Sequence, residues 1–137
     1  MAMSLKTALR MITAAEKKSE EIGVPVSIAV VDCGGNLIAQ HCMDNAMLIS
    51  QTLSLNKAYT SVATTMATGE LAKYSQPGQP FYGVHTCNFG RITIFAGGLP
   101  VFDTSGIVGG IGVSGGSSDQ DVAVAEAGLK AFENYKD

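Results

Sequence analysis

The sequence predicts an α/β protein of the α+β type, in which helices flank a five-stranded antiparallel sheet. Two segments, near residues 5–22 and 119–135, repeat apolar residues at helical spacing. Between them, short β-rich runs are separated by tight-turn sequences such as Gly34-Gly35-Asn36 and Gly97-Gly98, which favour hairpins over parallel crossovers. The length of 137 residues suits one domain, which we expect to cover 1–137.

The N-terminal part is predicted to form a helix followed by a hairpin. Ser4 can cap the start of the helix and Gly23 can end it. The next run, from Val26 to Asp32, is nearly all apolar, which is typical of a central strand buried on both faces. The glycine turn then leads into a second strand, Leu37–Cys42.

The middle of the chain is predicted to form two helices and a long irregular segment. Helical spacing resumes at Met47, and one apolar stripe holds Leu48, Thr52, Leu55, Tyr59 and Val62. Thr68 is expected to cap a short helix, Gly69–Tyr74. The irregular segment Ser75–Gly90 follows, and loops of this length are often functional.

The C-terminal part predicts three more strands and a last helix. The strands are expected at Ile92–Phe95, Leu99–Phe102 and Ile107–Ser114. The helix, roughly 119–135, follows a cap at Ser117 or Ser118. The predicted order of elements is therefore α-β-β-α-α-β-β-β-α.

Composition narrows the classes of function. Charged residues make up 15% of the chain, against about 25% in a typical soluble domain, so we expect self-association to cover part of the surface. The net charge of −3 argues against a nucleic-acid partner. No apolar run reaches the roughly 18 residues that span a membrane. The cysteines, Cys33, Cys42 and Cys87, lack CxxC spacing and are interpreted as reduced thiols of a cytoplasmic protein.

The most informative segment is 108–121, where an apolar run enters a glycine cluster and a capped helix follows. Its 110–115 part spells GxGxxG, but the first two glycines fall inside the predicted strand, which disfavours a dinucleotide site. Its 112–116 part spells GxSxG, yet His41 and His85 both precede Ser114, so we predict that Ser114 is not a nucleophile. A simpler interpretation is that the glycines permit close packing.

A small-molecule site is predicted where the Gly115-Gly116 turn and the following helix start face the Ser75–Gly90 loop. Unpaired N–H groups at the helix start suit a carboxylate, the loop aromatics offer a flat apolar surface, and the histidine can act as ligand or proton carrier. The expected binding residues are Lys57, Phe81, Tyr82, His85, Ser114, Gly115, Gly116 and Ser117. In the alternative interpretation the glycines only pack, Lys57 is solvated and the loop belongs to a subunit interface.

No dedicated metal site is predicted, and His41 and His85 are weak candidates for metal ligands. Zinc bound by His41 or Cys42 together with His85 and Cys87 has the right ligand types. Neighbouring strand residues point to opposite faces, however, which disfavours joint use of His41 and Cys42. A single axial contact from one histidine to haem iron demands less geometry.

Several ordered blocks of the sequence resemble the GlcG/HbpS-like family, and the likeness covers nearly the whole chain. The blocks are 30–37, 56–60, 96–101, 109–121 and 125–128. The resemblance implies a profilin-like fold with a five-stranded antiparallel sheet, and subunits that assemble into oligomers. Members of the family include haem-binding and haem-degrading proteins, the C-terminal domain of the propanediol-utilisation corrinoid adenosyltransferase, and proteins from glycolate and glycerol or diol operons.

Three hypotheses for function follow from the residues and the resemblance. The first is a small cytoplasmic protein that binds haem or a related tetrapyrrole, in a diol, glycerol or glycolate utilisation context. The second is an oligomeric accessory or interaction protein without a cofactor, and the third is an enzyme acting on a small organic acid. Haem is the implied cofactor, and the expected partners are further copies of the chain and a small ligand, without nucleic acid or membrane.

Overall fold

A computed structural model describes residues 2–135 of the chain, which fold into a mixed α/β arrangement. The elements, in chain order, are α1 Leu5–Ile22, β1 Ser27–Asp32, β2 Leu37–Cys42, α2 Ile49–Thr64, α3 Thr68–Tyr74, a 3₁₀ turn Val84–Thr86, α4 Cys87–Gly90, β3 Gly98–Asp103, β4 Gly106–Ser114 and α5 Ser118–Asn134. Within the described residues, none of the helices combines the length and apolar character needed to cross a membrane.

The sheet has four strands in the order β2-β1-β4-β3, and every neighbouring pair is antiparallel. The predicted five-stranded sheet is therefore wrong, because Ile92–Phe95 does not form a strand. The side chain of Thr60 on α2 accepts a hydrogen bond from Thr93 N at 2.9 Å and donates one to Arg91 O at 3.2 Å. These bonds hold the backbone around Thr93 against α2, so that it does not pair with a neighbouring strand.

Two hydrophobic layers cover the sheet, and β1 contributes to both. Ile28 and Val30 belong to the larger core, which α1 and α5 complete. Ala29 and Val31 belong to the smaller core against α2. Alternate side chains of β1 thus enter opposite layers, which confirms the prediction of a central strand buried on both faces.

The glycines of β4 bring α2 close to the sheet. A Cβ atom added at Gly112 would lie 2.5 Å from Ala58 N, so even an alanine would push the helix away. The α2 face against this strand consequently carries small side chains such as Ser50, Ser54 and Ala58, all fully buried. The predicted apolar stripe is wrong at its start, because Leu48 is 85% exposed.

Side-chain caps fix both long terminal helices as the sequence predicts. Ser4 accepts a hydrogen bond from Thr7 N at 3.1 Å, and Gly23 ends α1 with a left-handed φ of 71°. On α5 the cap is Ser117, which forms a reciprocal capping box with Gln120. These local contacts account for the agreement between predicted and observed helix ends.

The segment between α2 and β3 differs from the prediction in two respects. Thr68 lies inside α3 and accepts a hydrogen bond from Gly98 N at 2.9 Å, instead of capping the helix. The segment Ser75–Gly90 is not wholly irregular, because it contains Val84–Thr86 and Cys87–Gly90 as short helical turns. Both turns shape the surface described next.

Candidate functional site

The structure divides the residues of the predicted ligand site into two groups. The first group lies where α2, β4 and α5 meet, and contains Lys57, Ser114, Gly115, Gly116 and Ser117. The second group lies on the segment between α3 and β3, and contains Phe81, Tyr82 and His85. The first group contains buried polar groups that are paired with each other, whereas the second contains exposed aromatic side chains.

The first group is organised around Lys57 and is called the Lys57 centre, which consists of Lys57, Val113, Asp121 and the Gly116 N–H. The Lys57 side chain is 1% exposed, and its Nζ donates to Val113 O at 2.8 Å and to Asp121 Oδ2 at 3.1 Å. The other carboxylate oxygen, Oδ1 of Asp121, accepts from Gly116 N at 2.8 Å. Lys57 is therefore not solvated, and it joins α2 to β4 and α5.

Burial dominates the electrostatics of this ion pair. It lowers the pKa of the Lys57 ammonium and raises the pKa of the Asp121 carboxyl, while each group opposes the shift of the other through its charge. Such a pair contributes little net stability, but removing one member leaves a buried charge without its partner. Asp121 was not among the residues predicted from the sequence to form a site. The sequence did contain a sign that Lys57 is buried. It shares a helix face with the small residues Ser54, Ala58 and Ser61, which pack against the sheet.

Several N–H groups at the start of α5, beside this centre, have hydrogen-bond partners within the fold. Ser117 N donates to Gln120 Oε1 at 2.9 Å, and Gln120 N donates to Ser117 Oγ at 3.3 Å. Gly116 N already bonds Asp121. The prediction of unpaired donors for an anion is therefore wrong at Gly116 and Ser117. Ser114 is buried on β4, opposite Ser27 of β1.

The second group belongs to a surface that we call the aromatic segment, residues 74–91. Four of its aromatic side chains are exposed: Tyr74, Phe81, Tyr82 and Phe89. The Tyr74 and Phe81 rings pack edge to face with centroids 6.3 Å apart, and Phe81 N donates to Tyr74 O at 2.9 Å. Exposed apolar surface of this kind commonly marks a place where a ligand or partner binds.

His85 is half-buried within the aromatic segment. Its ring centroid lies 5.9 Å from that of Tyr82. Its Nδ1 atom is buried and has no hydrogen-bond partner among residues 2–135. An unsatisfied buried polar group costs about 1–3 kcal/mol, so this atom does not stabilise the fold. With Nδ1 buried, Nε2 is the nitrogen that a ligand can reach.

The end of the segment is held rigidly against α2. Asn88 and Phe89 have left-handed φ values of 52° and 59°, which residues other than glycine rarely adopt. Asn88 Nδ2 donates to the hydroxyl of Tyr59, and the Arg91 guanidinium lies over the Tyr59 ring at 3.7 Å from its centroid. Neither Tyr59 nor Arg91 was among the residues predicted from the sequence to form a site.

A cleft of about 570 Å³ lies between α1 and β2, and its lining includes no residue of either group. It is lined by Glu16, Glu20, Gln40, His41, Cys42, Met43 and Asp44. The His41 Nδ1 atom is hydrogen-bonded to Glu16, and hydrogen bonds from Ser27 and Gln51 lower the pKa of the Cys42 thiol. Across residues 2–135, no three His, Cys, Asp or Glu side chains cluster as a metal site would require. His41 and His85 are therefore not joined in one zinc site.

Comparison with known proteins gives consistent matches over nearly the whole chain. Residues 3–130 match the family described as haem-degrading protein HbpS-like. An uncharacterised 15.0 kDa protein of Citrobacter freundii, from the dhaT–dhaS intergenic region, is 44% identical over 95% of this chain and 92% of its own length. The crystal structure of Klebsiella pneumoniae protein ORFY superposes with a TM-score of 0.95 at 41% identity, covering 98% of this chain and 92% of ORFY. The structure of a complex of PduOC with haem superposes with a TM-score of 0.92 at 34% identity, covering 96% of this chain and 95% of PduOC.

Proposed function

The chain belongs to the HbpS-like family of haem-degrading proteins, and on that premise we propose that it binds haem or a related tetrapyrrole at the aromatic segment. His85 is the proposed ligand to the iron. The family and the haem complex of PduOC support the choice of ligand. The observation that carries the choice of site is the burial of His85 Nδ1, which leaves Nε2 as the ring nitrogen that iron can reach, beside exposed aromatic rings.

The chemistry of the aromatic segment fits a haem group. Imidazole is a common axial ligand of haem iron, and flat aromatic side chains suit the apolar macrocycle. Phe81 and Tyr82 would cover the macrocycle and exclude water from it, and the Tyr82 ring centroid lies 5.9 Å from that of His85. Bound haem would supply redox-active iron, whose potential depends on the axial ligand and the polarity around it.

The other two regions suit haem less well. In the Lys57 centre, Nζ and the Gly116 N–H already have partners within the fold. The cleft beside His41 carries Glu16, Glu20 and Asp44, whose charges would repel the two carboxylates of haem. Both arguments favour the aromatic segment.

The test is titration of the purified apoprotein with haemin, followed by the Soret band. We expect saturable binding at one haem per chain, and a dissociation constant at least tenfold higher, by about 1.4 kcal/mol, for His85→Ala. His41→Ala is the matched control, because it removes the histidine that already has a partner. Absence of saturable binding in the parent would refute the function, and loss of binding only in His41→Ala would refute the site.

We also propose that the protein is a homo-oligomer, at least a dimer, with an interface that includes Met47, Leu48 and Ile49. These three consecutive apolar side chains are 57%, 85% and 57% exposed. Light scattering should give a mass above the 14.2 kDa of one chain, and Leu48→Glu should lower it. Thr13→Glu is the control, because it adds the same charge at an exposed position of α1. An oligomer that binds no haem would favour the accessory role without a cofactor.

We place the protein in the cytoplasm, in a diol, glycerol or glycolate utilisation context. The three exposed free cysteines suit a reducing compartment. A relative in the dhaT–dhaS intergenic region supports an association with metabolic genes. Fractionation of cells grown with and without glycerol should find the protein in the soluble cytoplasmic fraction, at higher levels with glycerol. Equal levels on all carbon sources would contradict this context.

A further inference from the structure

Arg91 closes the aromatic segment with a cation that has no anionic partner in the described fold. Its side chain is half-buried, with Cζ 3.7 Å from the centroid of the Tyr59 ring. Among residues 2–135, no ion pair or side-chain hydrogen bond uses its guanidinium. The ion pairs in that range are Lys18–Glu21, His41–Glu16, Lys57–Asp121 and Lys73–Glu70. Five N–H donors therefore remain available at a fixed place.

The position of this guanidinium is set before any ligand arrives. Arg91 N donates to Asn88 O at 3.2 Å, and Arg91 O accepts from Thr60 Oγ1 at 3.2 Å. The Tyr59 ring is itself confined, because a Cβ atom added at Gly35 would lie 2.7 Å from it. The conformational freedom that a surface arginine normally loses on binding is thus already reduced by folding.

The carboxylates of Asp32 and Glu70, on neighbouring elements, bind groups other than Arg91. Asp32, in the turn that contacts Tyr59, accepts from Gly34 N and Asn36 N at 2.9 Å each. Glu70 on α3 pairs with Lys73 at 2.9 Å. A stacked guanidinium still presents the edges of its planar fork, which match the two oxygens of a carboxylate. The Arg91 guanidinium can therefore receive a carboxylate from outside the chain.

We propose that Arg91 binds a propionate carboxylate of the haem held at the aromatic segment. This inference rests on the proposed function and extends it, because it names the group that recognises the polar edge of the ligand. Haem combines an apolar macrocycle with two carboxylates at one edge. In this proposal His85 and the exposed aromatic rings bind the iron and the apolar macrocycle. Arg91, six residues after His85 in the chain, binds a carboxylate. The site should accordingly distinguish a tetrapyrrole diacid from its diester.

The test compares haemin with haemin dimethyl ester on the parent and on Arg91→Met. The methionine keeps much of the apolar stem but removes the donors. We expect the parent to bind the diacid on the order of tenfold or more tightly than the diester, as for a hydrogen bond to a charged group. Arg91→Met should lose that preference by weakening diacid binding alone. Arg91→Lys should restore part of it, because an ammonium keeps the charge without the fork.

Each result decides a different question. If the parent binds neither compound, the proposed function fails and this inference fails with it. If the parent binds haemin and Arg91→Met keeps the full preference for the diacid, only the inference on Arg91 fails. If Arg91→Met weakens diacid and diester equally, Arg91 merely supports the segment and the inference is overturned. Circular dichroism of each variant checks that the fold is retained.

Discussion

The Lys57 centre and the aromatic segment differ in whether their polar groups have partners within the fold. In the Lys57 centre, the ammonium, the carboxylate and the Gly116 N–H are all joined at 2.8–3.1 Å inside the fold. In the aromatic segment, His85 Nδ1 is buried without a partner, and the Arg91 guanidinium has no anion among residues 2–135. The aromatic side chains around them are exposed.

The difference separates structural from binding roles within one set of predicted site residues. Buried polar groups of folded proteins normally have hydrogen-bond partners, so an exception calls for an explanation. The polar groups of the Lys57 centre join α2 to β4 and α5, and we assign them a structural role. The aromatic segment leaves the Arg91 guanidinium without an anion among residues 2–135 and His85 Nε2 as the ring nitrogen that a ligand can reach, and we propose that both bind a ligand. The following predictions test this division.

The largest effect is expected from Lys57→Met, which leaves Asp121 buried without its cation. We expect the free energy of unfolding to fall by about 3–5 kcal/mol, the typical cost of breaking a buried pair. Urea unfolding followed by circular dichroism measures it. The double variant Lys57→Met with Asp121→Asn should recover part of the loss, because no buried charge remains. A loss below about 1 kcal/mol in the single variant would show that the pair is not structural.

A smaller effect is expected from Ser117→Ala, which removes the cap of α5. The loss should be about 1 kcal/mol of unfolding free energy, and haemin affinity should stay at the parent value. Ser118→Ala is the control, because its exposed side chain makes no capping bond in the described structure. A large drop in haemin affinity for Ser117→Ala would show that the start of α5 belongs to the binding site.

Phe89→Asn should change binding without changing stability. The Phe89 side chain is 101% exposed, so its removal should alter the unfolding free energy by less than about 0.5 kcal/mol. Asparagine also tolerates the left-handed backbone at this position. Haemin should bind more weakly, because the ligand loses an apolar contact. Thermal unfolding and the Soret titration, run on the same preparation, measure both quantities. Strong destabilisation would contradict a binding role for this side chain.

The smallest effect concerns Cys42, which is exposed yet has hydrogen-bond donors. The bonds from Ser27 and Gln51 lower the pKa of its thiol. A lowered pKa means a larger thiolate fraction at neutral pH, so iodoacetamide should alkylate Cys42 faster than Cys33 or Cys87. The midpoint of the Cys42 alkylation rate against pH should lie below the ordinary pKa of a thiol. Mass spectrometry of the labelled peptides measures this, and Gln51→Leu should shift the midpoint upward. Equal rates at all three cysteines would contradict it.

Local patterns explain how much of the fold the sequence could predict. The Ser4 cap and Gly23 end of α1, the β1–β2 hairpin and the Ser117 cap all depend on residues close together in the chain. The error at Ile92–Phe95 arose from a contact across the fold. Thr60, over 30 positions earlier, takes the backbone hydrogen bonds that a strand partner would have formed.

The site was harder to predict for the same physical reason. His85, Phe81 and Tyr82 could be selected because they lie together in one unusually long connection. The ion pair of Lys57 with Asp121 spans 64 positions, and the helix start gave no sign that its own side chains would occupy its donors. The stacking of Arg91 on Tyr59 likewise depends on the packing of the segment against α2.

The central claim is that haem iron binds to His85 in the aromatic segment. Crystals of the haem-loaded protein, measured at the iron absorption edge, locate the metal by its anomalous scattering without assumptions about the ligand. We expect one iron peak per chain, within bonding distance of His85 Nε2 and beside Phe81 and Tyr82. An iron peak next to His41, or in contact with the Lys57 centre, would contradict it.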